Sequence, residues 1–143
     1  MSVVSTITYT DGLSFDVEVN GHHFDIDADA KYGGKDRGPK PMPLLLSALG
    51  GCSGMDTVSI LRKMKFADFK LKVEVEGEYS TGDHPHIYES IEARYYFEGE
   101  GLVEDKVKHA IKLSMTQYCG VKAMLDKAAD ITWKIFINGR EVS

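Results

Sequence analysis

Residues 43–65 form one long segment whose first half is apolar around most of its circumference, and the segment is predicted to be a helix. Pro43 suits the first turn of a helix, and three leucines follow it. A helix that is apolar on nearly every side is enclosed by protein on several sides. Gly50 and Gly51 then cost the helix about 1 kcal/mol each relative to alanine. We therefore expect another helix or strand to approach closely at this glycine pair.

Alternating apolar and polar residues on both sides of this helix predict strands. Two or three antiparallel strands are expected before residue 31, with turns at Asp11-Gly12 and Asn20-Gly21. Further strands are predicted over residues 70–80, 86–99 and 130–139, and a second helix over 102–126 that breaks near Gly120. Residues 140–143 are expected to be a tail. The order β-β-β-α-β-β-α-β predicts one α+β domain over residues 1–143, with antiparallel sheets and two central helices.

Charge and composition exclude several classes of partner. The 143-residue chain has a net charge of −5, with acidic and basic residues mixed along its length, whereas a nucleic-acid-binding protein would show a basic stripe. Its first residues do not resemble a signal peptide, and no run is expected to approach the roughly 18 apolar residues of a membrane span. We therefore expect a cytoplasmic protein without a nucleic-acid or membrane partner.

The two cysteines are the strongest indication of chemistry. Cys52 lies in the first predicted helix and Cys119 in the second. In a reducing compartment such thiols are free, catalytic or metal-bound more often than bridged, although two buried apolar cysteines would look the same in the sequence. The break at Gly120 would put Cys119 near a helix N-terminus, where the helix dipole lowers the pKa of a thiol. The pair indicates a redox function.

A zinc site is the alternative use for these thiols. His22 with His23 and His84 with His86 could add ligands to the two cysteines. The Cys-x-x-Cys spacing of a strong zinc site is absent, and the positions of these histidines favour exposed loop tips. We expect no metal and no bound cofactor.

Two cysteine motifs resemble those of a known family. The stretch GGKDRGPKPMPLLLSALGGCSGMDTVSILRKMK resembles the first-cysteine motif of the OsmC/Ohr family, the osmotically inducible and organic-hydroperoxide-resistance proteins, and LSMTQYCGVKAML resembles the second. The Gly-Gly-Cys-Ser-Gly segment is most similar to the YhfA-like branch. The resemblance covers nearly the whole chain and implies an OsmC-like fold and an intertwined homodimer with active sites at the subunit interface.

The resemblance also implies a reaction. Cys52 would be the peroxidatic cysteine that reduces a small organic hydroperoxide and becomes a sulfenic acid. Cys119 would be the resolving cysteine that forms a disulfide with it, and an external thiol reductant such as dihydrolipoamide would reopen the bond. The alternative is a non-catalytic member of the family that binds a small hydrophobic ligand or senses oxidants.

The chain departs from the family at the supports of the peroxidatic thiolate. Peroxidases of the family have an arginine in the first hairpin and a glutamate at the start of helix one; the hairpin here has no arginine, and Pro43 takes the glutamate position. Arg37 is the substitute candidate, oriented by Asp36 or Asp56; the alternatives are that Arg37 is a solvated loop cation and that Asp56, one helical turn beyond Cys52, raises the pKa of that thiol by repulsion. An apolar pocket that favours organic hydroperoxides is expected from five further residues, Leu45, Leu49, Met55, Met115 and Tyr118.

Overall fold

Strands and helices follow one another in the order that the sequence predicts. The computed structural model describes residues 1–83 and 85–143. The chain folds into two compact units, Met1–Leu45 and Leu46–Ser143. The fold is α+β, with one sheet in each unit.

The first unit holds a three-stranded antiparallel sheet. Its strands are β1 (Ser5–Asp11), β2 (Ser14–Val19) and β3 (His22–Ile26), in the order β1-β2-β3. The turn between β2 and β3 is Asn20-Gly21, and both residues have positive φ (51° and 78°), as a tight hairpin requires. The expected hairpins are therefore confirmed.

Asp27 organises the loop that follows β3. Its buried carboxylate accepts hydrogen bonds from the Ser14 hydroxyl and from the backbone N–H groups of Ala28, Lys35 and Arg37. The Ser14 bond, followed by the backbone bonds, outweighs desolvation and lowers the pKa of Asp27 to about 2. A charged carboxylate therefore fixes the path of the loop.

The long apolar segment is a helix, α1 (Pro41–Lys63), which begins and ends two residues earlier than predicted. A Cβ atom built on Gly50 would lie 3.0 Å from Val75 Cγ2, so a strand does approach the helix closely at this residue, as expected. A Cβ atom on Gly51 would meet nothing within 4 Å. The close approach expected at the glycine pair is thus confirmed for Gly50, and Gly51 faces open space.

The same helix is long and apolar enough to cross a membrane when judged by length and composition alone. This overturns the expectation that no segment approaches such a composition. The core helix of a folded protein passes the same test, and 22% of the apolar stretch is buried within the chain. Most residues of this apolar stretch are therefore not buried by the chain itself.

The second unit holds a four-stranded mixed sheet in the order β4-β5-β6-β7. Its strands are β4 (Lys70–Tyr79), β5 (Tyr88–Glu98), β6 (Asp130–Ile137) and β7 (Arg140–Glu141). The antiparallel order holds for β4–β5 and β6–β7, but β5 and β6 are parallel because a helical crossover connects them. The tail prediction is wrong at β7: Asn138 and Gly139 have positive φ and turn the chain into a short hairpin.

The second helical region has three parts, α2 (Glu104–Leu113), a π-helical turn (Ser114–Tyr118) and α3 (Gly120–Leu125). The predicted break is confirmed, with Cys119 as the junction residue. The buried stripe of α2 packs into a core shared with α1 and the second sheet. Among its fully enclosed side chains are Leu49, Leu61, Tyr95, Phe97, Ile111 and Ile135.

Candidate functional site

The structure brings Cys52 and Cys119 together and adds Asp56 to them. Cys52 and Asp56 are one turn apart on α1 and therefore share one face of the helix. The two sulfur atoms and a carboxylate oxygen of Asp56 all lie within 4.8 Å of one another. Both cysteines are free thiols; Cys52 is half-buried and Cys119 is buried. Two thiols and one carboxylate thus form a cluster, which we call the thiol cluster (Cys52, Asp56 and Cys119).

The π-helical turn puts Cys119 at this position. The backbone N–H of Cys119 donates to the carbonyl of Ser114 at 2.8 Å, a bond that spans five residues and closes the wide turn. Cys119 then has extended backbone angles (φ −76°, ψ 103°) and caps the N-terminus of α3. Its sulfur accepts a hydrogen bond from the backbone N–H of Lys122 at 3.4 Å. The thiol is therefore held at both the turn and the cap.

Burial controls the protonation of Cys119. With 4% of the residue exposed, desolvation raises its pKa from 9.0 to about 11, because a thiolate loses hydration. The Lys122 N–H acts in the opposite direction, and Cys52 and Asp56 add to the increase. The expected lowering of this pKa by a helix N-terminus is wrong: α3 has only six residues, and desolvation is the larger effect.

A chain of buried, hydrogen-bonded side chains connects the thiol cluster to the core. The Ser114 hydroxyl donates to Asp56 Oδ2 at 2.9 Å and lies 3.2 Å from Ser53 Oγ. The Tyr95 hydroxyl is hydrogen-bonded to Ser53 Oγ and donates to Met115 Sδ at 3.5 Å. Burial raises the pKa of Tyr95 to about 12, so it remains a neutral donor. These hydroxyls therefore fix the orientation of the Asp56 carboxylate.

Sequence reasoning missed this supporting chain. Ser53 and Ser114 are both fully buried, although serine is mostly found at surfaces. The available signal was a serine among the residues predicted to be buried on each helix, because a buried hydroxyl group needs a hydrogen-bond partner. The partner itself could not be identified from the sequence, because Ser53 and Ser114 are 61 residues apart along the chain.

Arg37 lies in the first unit and pairs with Asp11. Its Nη2 donates to Asp11 Oδ2 at 2.9 Å, and Lys35 Nζ donates to the same oxygen at 2.8 Å. These two cations, Lys35 first, lower the pKa of the Asp11 carboxyl. Asp11 therefore occupies the orienting position expected for Asp36 or Asp56, and the Asp56 carboxylate is engaged by Ser114 instead.

The five predicted pocket residues lie in different environments. Leu49 and Met115 are 0% and 2% exposed and belong to the core. Met115 and Tyr118 also line a cavity of about 320 Å³ beside Cys119. Met55 lines a groove of about 750 Å³ between α1 and β4, and Leu45 is exposed at the end of the first unit. Two of the five are thus next to a cysteine of the thiol cluster.

The histidines expected as possible zinc ligands have other contacts. His22 and His23 are exposed on β3, and the His23 ring lies 2.9 Å from Asp16 Oδ2, which raises the pKa of that histidine. His86 Nδ1 lies 3.1 Å from the carbonyl oxygen of Ser80. His84 lies outside the described residues. In the part of the chain that the structure describes, the candidate metal-ligand group is the thiol cluster.

Comparisons with known proteins identify relatives of most of the chain. A model of the OsmC-like protein family matches residues 33–134. Protein YhfA of Escherichia coli (strain K12) is 33% identical over 127 residues, which cover 88% of this chain and 91% of that protein. The crystal structure of a hypothetical protein from Aquifex aeolicus VF5 is similar with a TM-score of 0.80 at 28% identity, covering 96% of this chain and 98% of the other.

A more distant similarity extends to a named resistance protein. The structure of an organic hydroperoxide resistance protein OsmC from Legionella pneumophila has a TM-score of 0.67 at 14% identity. The alignment covers 95% of this chain and 97% of the other. At that identity the similarity concerns the fold.

Proposed function

This chain belongs to the OsmC-like protein family, in the branch that includes YhfA, and on that basis we propose that it is a thiol-dependent peroxidase. It reduces small organic hydroperoxides through a peroxidatic Cys52 and a resolving Cys119. The observation that carries the proposal is the separation of the two sulfur atoms, which lie within 4.8 Å of each other although the residues are 67 positions apart.

Unequal exposure gives the two thiols different roles. The half-buried Cys52 is the one that a hydroperoxide can reach first, and the buried Cys119 is protected until a sulfenic acid forms beside it. A resolving thiol at this distance traps the sulfenic acid before it is oxidised further. The order Cys52 then Cys119 therefore follows from access.

The proposed reaction conserves atoms and electrons. The Cys52 thiolate attacks the O–O bond of the hydroperoxide; an S–O bond forms, the O–O bond breaks, and the alkoxide takes up a proton to leave as an alcohol. The Cys119 thiol then gives up its proton and its sulfur attacks the sulfenic acid sulfur; an S–S bond forms, the S–O bond breaks, and the leaving hydroxide takes up that proton to become water. An external dithiol of the dihydrolipoamide type reduces the disulfide and returns both thiols.

The proposal of an organic substrate rests on two residues of the cavity beside Cys119, which Lys122, Asp126 and Lys127 also line. Met115 and Tyr118 supply apolar and aromatic surface to the cavity beside Cys119. Arg37 pairs with Asp11, and the role expected for Arg37 beside the Cys52 thiolate stays a prediction. An apolar hydroperoxide should therefore react faster than hydrogen peroxide.

A homodimer in the cytoplasm is part of the same proposal. Large apolar side chains are exposed in both units, among them Ile7, Tyr9, Phe24 and Met55. The groove of about 750 Å³ along α1 is lined by Gly51, Gly54 and Val58, whose small size permits another helix to approach closely. We expect α1 of a second copy to cover this groove.

A second candidate function is favoured by the raised pKa of Cys119. A thiol with a pKa of about 11 is almost entirely protonated at neutral pH and resolves a sulfenic acid slowly. Such a protein would sense oxidants or bind a hydrophobic molecule without turnover. Saturable thermal stabilisation by an apolar ligand without thiol loss would support this candidate.

The two functions are separated by counting thiols. Cumene hydroperoxide added to the reduced protein should remove two free thiols per chain. Cys52→Ser should abolish the loss, whereas Cys119→Ser should leave a sulfenic acid that dimedone traps. Ser47→Ala, an exposed change on the same helix as Cys52, is the matched control and should behave as the native protein. Native thiols that survive excess hydroperoxide would refute the peroxidase.

A further inference from the structure

The proposed peroxidase reaction uses two members of the thiol cluster and leaves Asp56 without a role. Its carboxylate nevertheless lies within 4.8 Å of both sulfur atoms. Zinc binds Cys sulfur and Asp oxygen in a tetrahedral arrangement, so two thiolates and a carboxylate are suitable ligands for it. Asp56 on α1 therefore offers the third ligand, a role for which the sequence had suggested histidines.

We propose that the reduced protein binds one zinc ion through Cys52 Sγ, Cys119 Sγ and a carboxylate oxygen of Asp56. Zn–S bonds of about 2.3 Å and Zn–O bonds of about 2.0–2.2 Å put two tetrahedral ligand atoms about 3.6–3.8 Å apart. The three ligand atoms are at most 4.8 Å apart in the structure, and side-chain movements of about 1 Å would bring them to the tetrahedral spacing. Rotation of the cysteine and aspartate side chains is sufficient, and the helices can remain where they are.

Groups behind the cluster already orient the ligands. Ser114 donates to Asp56 Oδ2 at 2.9 Å, which leaves the other carboxylate oxygen for the ion. The Lys122 N–H donates to Cys119 Sγ at 3.4 Å and fixes the position of that sulfur at the cap of α3. Hydrogen bonds from outside to ligand atoms are a regular feature of protein metal sites and contribute to their affinity.

The ligand types select the kind of metal. Two soft thiolates favour zinc and similar ions over magnesium or calcium, which prefer oxygen ligands. Three protein ligands leave a fourth position for water, and the half-buried Cys52 leaves the cluster open on one side. The site is therefore built for an exchangeable ion.

Metal binding and disulfide formation exclude each other because they use the same two sulfur atoms. Zinc binds the two thiols with release of their two protons and without any change of oxidation state. The occupied form keeps both sulfur atoms reduced and withdraws them from hydroperoxides. Zinc availability would thus set the fraction of protein that is open to oxidation.

The test uses the full-length, chelator-treated and reduced protein, without hydroperoxide. Zinc is titrated against a chromophoric chelator, and cobalt(II) is added separately as a spectroscopic probe. The native protein should bind one ion per chain and show a thiolate-to-cobalt charge-transfer band. Protein whose cysteines have been oxidised to the disulfide should show neither, and circular dichroism checks the fold of each sample.

Three variants and a control identify the ligands. Cys52→Ser and Cys119→Ser should each lower zinc affinity at least a hundredfold, and Asp56→Asn, which retains the shape and the bond to Ser114, at least about tenfold. Asp105→Asn, an exposed change at the start of α2, should bind as the native protein. Native affinity in Asp56→Asn, or cobalt bound without a thiolate band, would overturn the site. Neither readout requires peroxidase activity, so the two proposals can fail separately.

Discussion

The protonation of Cys119 offers a direct test of the structure, independent of any substrate. Burial raises its pKa to about 11 from 9.0, so that at neutral pH the thiolate fraction is about 10⁻⁴. That is about a hundredfold less than an unperturbed thiol would show. Because iodoacetamide reacts with the thiolate, the alkylation rate of Cys119 should rise about tenfold with each pH unit from 7 to 10.

The assay is site-resolved mass spectrometry of metal-free, reduced protein alkylated for short times at each pH. Limited access to a residue that is 4% exposed lowers the rate by the same factor at every pH, so the slope is the informative quantity. In denaturant the rate of Cys119 should instead level off near pH 9. A folded-state rate that levels off below pH 9 would refute desolvation as the controlling effect.

Three further changes test other parts of the structure. Gly77→Ala puts a Cβ atom 2.5 Å from a ring carbon of Tyr88 and should lower the free energy of unfolding by about 1–3 kcal/mol in denaturant melts; an unchanged midpoint would contradict the packing. Asp27→Asn should destabilise the protein at neutral pH. The pKa of Asp27 is about 2 in the folded protein and 3.8 ordinarily, so the difference in unfolding free energy between the native protein and the variant should persist above pH 4 and vanish as the pH falls through 2. A difference that stays constant with pH would argue against the charged carboxylate. Gly51→Ala meets nothing within the chain and by helix propensity should add about 1 kcal/mol of stability, yet it should weaken the proposed homodimer in sedimentation measurements; native dimerisation would argue against α1 as the contact.

Local patterns in the sequence were sufficient for the elements and their order. Alternation predicted β1 to β6, Asn20-Gly21 predicted a hairpin, and the apolar segment predicted α1, because these signals depend on neighbours within a few residues. The same signal at Asn138-Gly139 was present and explains β7. The cysteine motifs were sufficient for the family, which the comparisons confirm.

The sequence by itself determined which residue types are available for chemistry, and the tertiary structure decided how they meet. A carboxylate oxygen of Asp56 lies within 4.8 Å of both sulfur atoms, and the carboxylate is held by Ser114, the first residue of the π-helical turn that precedes Cys119. The pKa of Cys119 rises rather than falls because desolvation depends on everything packed around a sulfur atom, and one short helix contributes less. Distances across the core and the loss of water from a side chain are properties of the packed chain, so no local pattern encodes them.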